Sequence, residues 1–121
     1  MNYYGILINP VESKVERVEF DNRIVGLKEL YDRLQCEVVE RVPIASGEDF
    51  SVDLWLDEEG MLNGASERIG QFQINDYMFA GYGLIILSDL EGESIGFPES
   101  MEDILSMVAE AIGDDNDFNL E

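Results

Sequence analysis

The chain has 121 residues, the size of one ordinary domain, and a hydrophobic content of 45% supplies a core and argues against global disorder. Its 27 Asp and Glu face 7 Lys and Arg, a formal net charge of −20 that opposes direct binding of nucleic acid. The absence of His excludes a Ser-His-Asp triad and any His-ligated metal, and the single Cys36 excludes an internal disulfide and fits a reducing compartment.

Alternation predicts a first strand over Tyr3 to Asn9, closed by Pro10, with Tyr4, Ile6 and Ile8 on one face and Leu7 on the other. A second strand, Val15 to Phe20, turns Val18 and Phe20 inward, and the short link makes the pair a hairpin. Leu27, Leu30, Tyr31 and Leu34 fall at helical spacing and predict a helix from about Val25 to Gln35. Glu37 to Ile44 reads as a strand with Val38, Val42 and Ile44 on one face, and Pro43 marks an edge or an end. Ser51 to Asp57 alternates, with Val52, Leu54 and Leu56 facing one way and Asp53, Trp55 and Asp57 the other.

Asp57-Glu58-Glu59-Gly60 signals a turn, and Leu62 to Gly70 reads as a loop. Gln71 to Ile74 predicts a short strand, and Asn75 is placed to cap a helical turn through Phe79. Gly83 to Ser88 is almost wholly apolar, which places it centrally in a sheet, and Ser94 to Phe97 pairs back after the Asp89–Glu93 turn. The last helix, from about Pro98 to Ile112, buries Met101, Ile104, Leu105, Val108, Ala111 and Ile112, and Gly113 reads as its C′ residue. The expectation is one α+β domain over 1–113, a mostly antiparallel sheet of five to seven strands with two helices packed on it, followed by an acidic, frayed tail over 114–121.

Several short words occur in a fixed order: Ile6-Leu7-Ile8-Asn9-Pro10, Leu27-Lys28-Glu29-Leu30-Tyr31, Val42-Pro43, Asp57-Glu58-Glu59-Gly60, Asn75 and the strand Gly83 to Leu87. Together they resemble the family called domain of unknown function 3846, small proteins encoded by phages and conjugative elements. This chain departs from the family pattern at Leu34-Gln35-Cys36, where glycines are usual, and at Asp57, where Asn is usual. The resemblance implies an origin in a mobile element, which favours a role in blocking host defence. It implies no activity and no catalytic residues.

The charge is uneven. All basic residues lie between Lys14 and Arg68, and residues 69–121 carry twelve carboxylates with no cation. Hydration and solubility account for much of this. The sharper reading places Glu99, Glu102, Asp103, Glu110 and Asp114 along one side of the last helix. One helical turn rises about 5.4 Å, so such a row imitates a phosphate backbone to a basic groove. The chain is then a non-enzymatic acidic binding protein, a DNA mimic or anti-defence inhibitor of a basic host protein, with no cofactor, no direct contact with nucleic acid and no membrane. The absence of a basic n-region and of a long apolar run places it in the cytoplasm.

The alternative is a small-ligand or sequestering domain with an aromatic pocket formed by Trp55, Tyr77 and Tyr82. Trp55 stands between Asp53 and Asp57, either as an exposed anchor or, as is commoner for Trp, beneath a helix. Asp53 and Asp57 form a candidate acid–base pair, although 27 carboxylates produce such pairs by chance. Asp89-Leu90-Glu91-Gly92-Glu93 lacks EF-hand spacing, Gly81-Tyr82-Gly83 precedes a strand and not a helix, and Cys36 reads as an inert thiol.

Overall fold

The computed structural model describes residues 2–121. The chain order is β1 (Tyr3–Asn9), β2 (Lys14–Phe20), α1 (Leu27–Leu34), β3 (Val39–Ser46), β4 (Phe50–Asp57), α2 (Ala65–Arg68), β5 (Gln71–Ile74), β6 (Tyr77–Ala80), β7 (Gly83–Asp89), β8 (Ser94–Ile95), β9 (Phe97–Pro98), α3 (Glu102–Asn116) and β10 (Asn119–Leu120). The fold is α+β. Its eight-stranded sheet has the path β10-β2-β1-β7-β4-β3, with β8 added to β7 and β9 to β1, and β5 and β6 form a separate two-stranded sheet. Strand β7 is central, between β1 and β4, as its unbroken apolar run requires.

The sheet is larger than the sequence predicts and is mixed. All of its pairings are antiparallel except β10 on β2, where Asn119 lies opposite Lys14 and Leu120 opposite Val15. The expected frayed tail is therefore corrected. Helix α3 runs through Gly113 to Asn116, and the left-handed residue that ends it is Asp117, with φ 56°. Phe118 N–H bonds the Gly113 carbonyl and Asp117 N–H the Asp114 carbonyl. Asp tolerates this conformation, so the glycine signal at 113 pointed one turn too early. Lys14 then clasps the returning end, with Nζ 3.4 Å from Glu121 and 2.7 and 3.1 Å from Glu12 and Glu16, and its ammonium is held protonated well above the usual lysine range by those carboxylates.

Each face of the sheet has its own cover. Tyr4, Ile6, Ile8, Leu54, Ile85 and Leu87 pack beneath α3, through Leu105 and Ile112, and beneath the β5–β6 hairpin, through Phe72 and Ile74. Leu7, Val18, Phe20, Leu84 and Ile86 pack against Leu30 and Leu34 of α1. Helix α1 is shorter than predicted, and Leu27, expected in its buried stripe, is 56% exposed at its first turn. The hairpin sits so close to β7 that a Cβ on Gly83 would stand 2.6 Å from the Phe72 ring, so only glycine fits there.

Two local readings change. Residues expected as loop include α2, four residues long. Asn75 does not cap a helical turn: Asn75 and Asp76 take φ 51° and 69° and form the two-residue link of the β5–β6 hairpin, with Ile74 paired to Tyr77. Two consecutive positive φ values suit the right-handed twist of the strands, and Asn and Asp tolerate them. Val38, expected inside a strand, is exposed just before β3, and a register shift follows Pro43 on this edge strand.

Candidate functional site

Strand β4 turns Asp53, Trp55 and Asp57 to the α1 side of the sheet. The two carboxylates stand four residues apart, about 13 Å along a strand, too far for the acid–base pair considered from the sequence. Asp57 is a turn residue. Its Oδ1 accepts the Glu59 N–H at 2.9 Å and its Oδ2 accepts from Asn63 Nδ2 at 2.9 Å, which fixes the link leading to α2. Asp53 is fully buried and accepts hydrogen bonds from the Ser51 hydroxyl at 2.8 Å and from the Ser88 hydroxyl. Arg41 closes the cluster on its solvent side, with Nη1 3.4 Å from Ser88 Oγ and 3.9 Å from Asp53 Oδ2. A buried carboxylate needs such partners, and here each of its oxygens has a hydroxyl donor.

The aromatic pocket does not assemble. Trp55 and Tyr82 pack at the edge of the α1-side core, whereas Tyr77 is 70% exposed on the β5–β6 hairpin, whose buried side chains pack on the opposite face. Trp55 is partly buried, and its Nε1 is enclosed without a hydrogen-bond partner. Burial pushes the Cys36 thiol up to about 11, with the Asp57 carboxylate adding to the effect, so the group is a poor nucleophile near neutrality.

The acidic row on α3 divides in two. Glu99, in the turn before the helix, accepts the Tyr4 hydroxyl at 3.0 Å, and Glu102 pairs with Arg17 at 2.7 Å, so these two are tied back to the sheet. The Arg17 guanidinium also lies over the Tyr4 ring, 3.2 Å from its centroid. Asp103, Glu110 and Asp114 are exposed, and Asp115, which the sequence reading did not select, joins them at the end of the helix. Among the described residues, six of the seven basic side chains carry ion pairs within the molecule. The positive charge is thus largely spent internally, and the outer side of α3 keeps its own.

Beside this acidic side runs an apolar groove of about 370 Å³. Ile44, Phe50 and Val52 of the β3–β4 hairpin form one wall, Ile74 of β5 the end, and Ile104 and Val108 of α3 the other wall. Asn116 holds the hairpin end in place: its Oδ1 accepts the Gln73 N–H at 2.5 Å and its Nδ2 donates to the Gln73 carbonyl at 2.9 Å. Tyr77 lies across the strand pair from Ile74. The sequence puts Ile44 and Val52 on single faces of their strands, turns Ile74 inward and sets Ile104 and Val108 in the apolar stripe of the last helix. Val52 and Ile74 are indeed buried, while Ile104 is 46% exposed. Residues from three separate stretches leave a channel between them, and no local pattern reports that.

The chain matches the family described as "Domain of unknown function (DUF3846)" over residues 1–109 of 121. It belongs to that family. The match runs past the words quoted from the sequence and into α3 as far as Ala109. No curated protein and no solved structure matches the chain. No helix among the described residues is long and apolar enough to cross a membrane.

Proposed function

We propose that this chain is a non-enzymatic binding protein that presents the outer side of α3 to a basic surface of a partner protein. The observation that carries this reading is the contrast in pairing: six of the seven cations are engaged within the fold, while Asp103, Glu110 and Asp114 stand exposed along one side of α3 and Asp115 is exposed at the groove beside it. Such a surface attracts a cationic partner at long range and accelerates encounter, with an effect that salt screens. With Glu99 and Glu102 turned to internal partners, the free row is short, so it covers only part of a duplex-binding groove. The mobile-element origin implied by the family resemblance makes a nucleic-acid-binding defence protein of the host, in the cytoplasm, the natural partner class.

Competition tests the proposal. Duplex DNA bound to such a host protein is challenged with this chain at low and at high salt. Displacement at low salt that fades at high salt is expected, and replacing Asp103, Glu110, Asp114 and Asp115 by Asn or Gln weakens it by at least about tenfold. Failure of the parent chain to displace DNA from any of these proteins at low salt defeats the reading, as does equal displacement by the neutralised variant.

A further inference from the structure

The groove beside the acidic side of α3 is open, apolar and flanked by carboxylates. We propose that it receives an amphipathic, Lys/Arg-rich helix of the partner protein, whose apolar side chains fill the channel while its cations meet the rim. This rests on the binding reading above and names the form of the partner. The lining residues Ile104, Val108, Ala111 and Asp115 follow one line of α3 from 104 to 115, a rise of about 16 Å, the length of three helical turns. A partner helix with apolar residues at i, i+4 and i+7 spans most of that length. Ile104 is 46% exposed and Met107, next to it on the outer surface, is 70% exposed, so the apolar strip continues onto the helix surface.

Charge selects the occupant. Asp115 lines the groove itself, and exposed Glu48 and Asp49 connect the lining residues Ser46 and Phe50. Exposed Asp76 adjoins the lining Asn75, and none of the described lining side chains is basic. A second copy of this chain carries −20 of its own and is repelled. A fatty acid or an anionic membrane brings more negative charge to a negative rim. The chain's own last residues are committed elsewhere, paired with β2. An added β-strand is disfavoured because the groove walls are side chains, and the free edge at β3 is interrupted by Pro43 and its register shift.

Two synthetic peptides of identical Leu and Lys composition provide the test. In one the leucines form a single helical face; in the other they are scrambled. Binding is followed by titration calorimetry at low salt, with the parent chain, with Ile104→Ser and with the variant neutralised at Asp103, Glu110, Asp114 and Asp115. The half-exposed position of Ile104 lets its variant fold, which circular dichroism verifies. Expected is a preference of at least about tenfold for the amphipathic peptide, lost in Ile104→Ser, together with weaker binding of both peptides by the neutralised variant. Equal binding of both peptides, unaffected by Ile104→Ser, overturns the groove proposal and leaves the acidic surface reading standing. Binding of neither peptide overturns both. Palmitate that binds through Ile104 where the amphipathic peptide does not also overturns the proposal, in favour of a lipid-like ligand.

Discussion

Asn116 is the most informative single residue to remove, because it joins the last turn of α3 to the hairpin that ends the groove. In a hairpin closed by two residues, Ile74 and Tyr77 exchange their backbone bonds, and Gln73, one step back, turns its own N–H and C=O outward. Asn116 receives both, at 2.5 and 2.9 Å. Its third bond, to the Ile112 carbonyl at 2.9 Å, lies within one turn of the helix and adds little. Asn116→Ala therefore forfeits two hydrogen bonds to half-buried backbone groups, each contributing about 1 kcal/mol, for a loss of about 2 kcal/mol. That energy corresponds to a roughly 30-fold increase in local opening. Amide hydrogen exchange at Gln73 and along β6 reads this opening directly, and urea unfolding reads the global share. Asn116→Asp keeps an acceptor for the Gln73 N–H but loses the donor to its carbonyl and adds a charge beside Asp114, Asp115 and Asp117, so it is no better tolerated than the Ala variant. An exchange rate at Gln73 that changes by less than about twofold in Asn116→Ala would refute the reasoning, because the hairpin would then be held by its apolar contacts alone.

Asp53→Ala removes the acceptor for Ser51 and Ser88 and leaves Arg41 facing an empty site, which costs about 3 kcal/mol or more and lowers the urea midpoint sharply; a loss below about 1 kcal/mol would show the cluster to be dispensable. With its thiol pushed up to about 11, Cys36 in the folded chain alkylates at pH 8 roughly a hundredfold more slowly than in urea, and equal rates in the two conditions would contradict its burial. The Asp89 carboxyl is held below its usual range by the Glu93 N–H first, then by the Glu91 N–H and Arg23. Its contribution is therefore fully present above the unfolded carboxyl value of about 4 and disappears as pH falls through the lower folded value. The stability difference between parent and Asp89→Ala is accordingly constant from pH 5 to 7 and shrinks in acid; a difference that grows in acid would reverse the assignment. Added neutral salt raises the melting temperature of a chain with a net charge of −20, and a flat salt response would mean that self-repulsion is negligible.

Strands β1, β2, β4, β5 and β7, helix α1 and the start of α3 were legible in the sequence because each carries its own periodicity or an unbroken apolar run. The family could be recognised from short words that are mostly turns and strand ends. The acidic character of the α3 surface was equally visible, since charge is a property of composition. Other features arise only between distant segments. Gly113 carries the local signal for a helix end, yet the end falls at Asp117, because the chain gains a parallel pairing with β2 and an ion pair from Glu121 to Lys14 by continuing. Asn75 carries the signal for a helix cap, yet it serves a hairpin, because Phe72 and Ile74 gain burial against β7 and α3 by pairing with β6. Tyr77, Trp55 and Tyr82 look alike along the chain, but Trp55 and Tyr82 pack on one face of the sheet while Tyr77 is exposed on the hairpin that packs on the other. Local sequence thus determines the strands and helices that carry their own periodicity, and how much charge they hold. Packing alone decides which carboxylates are spent on Tyr4 and Arg17, which stay free, and where apolar walls stand apart, because those outcomes depend on distances between residues that no local pattern encodes.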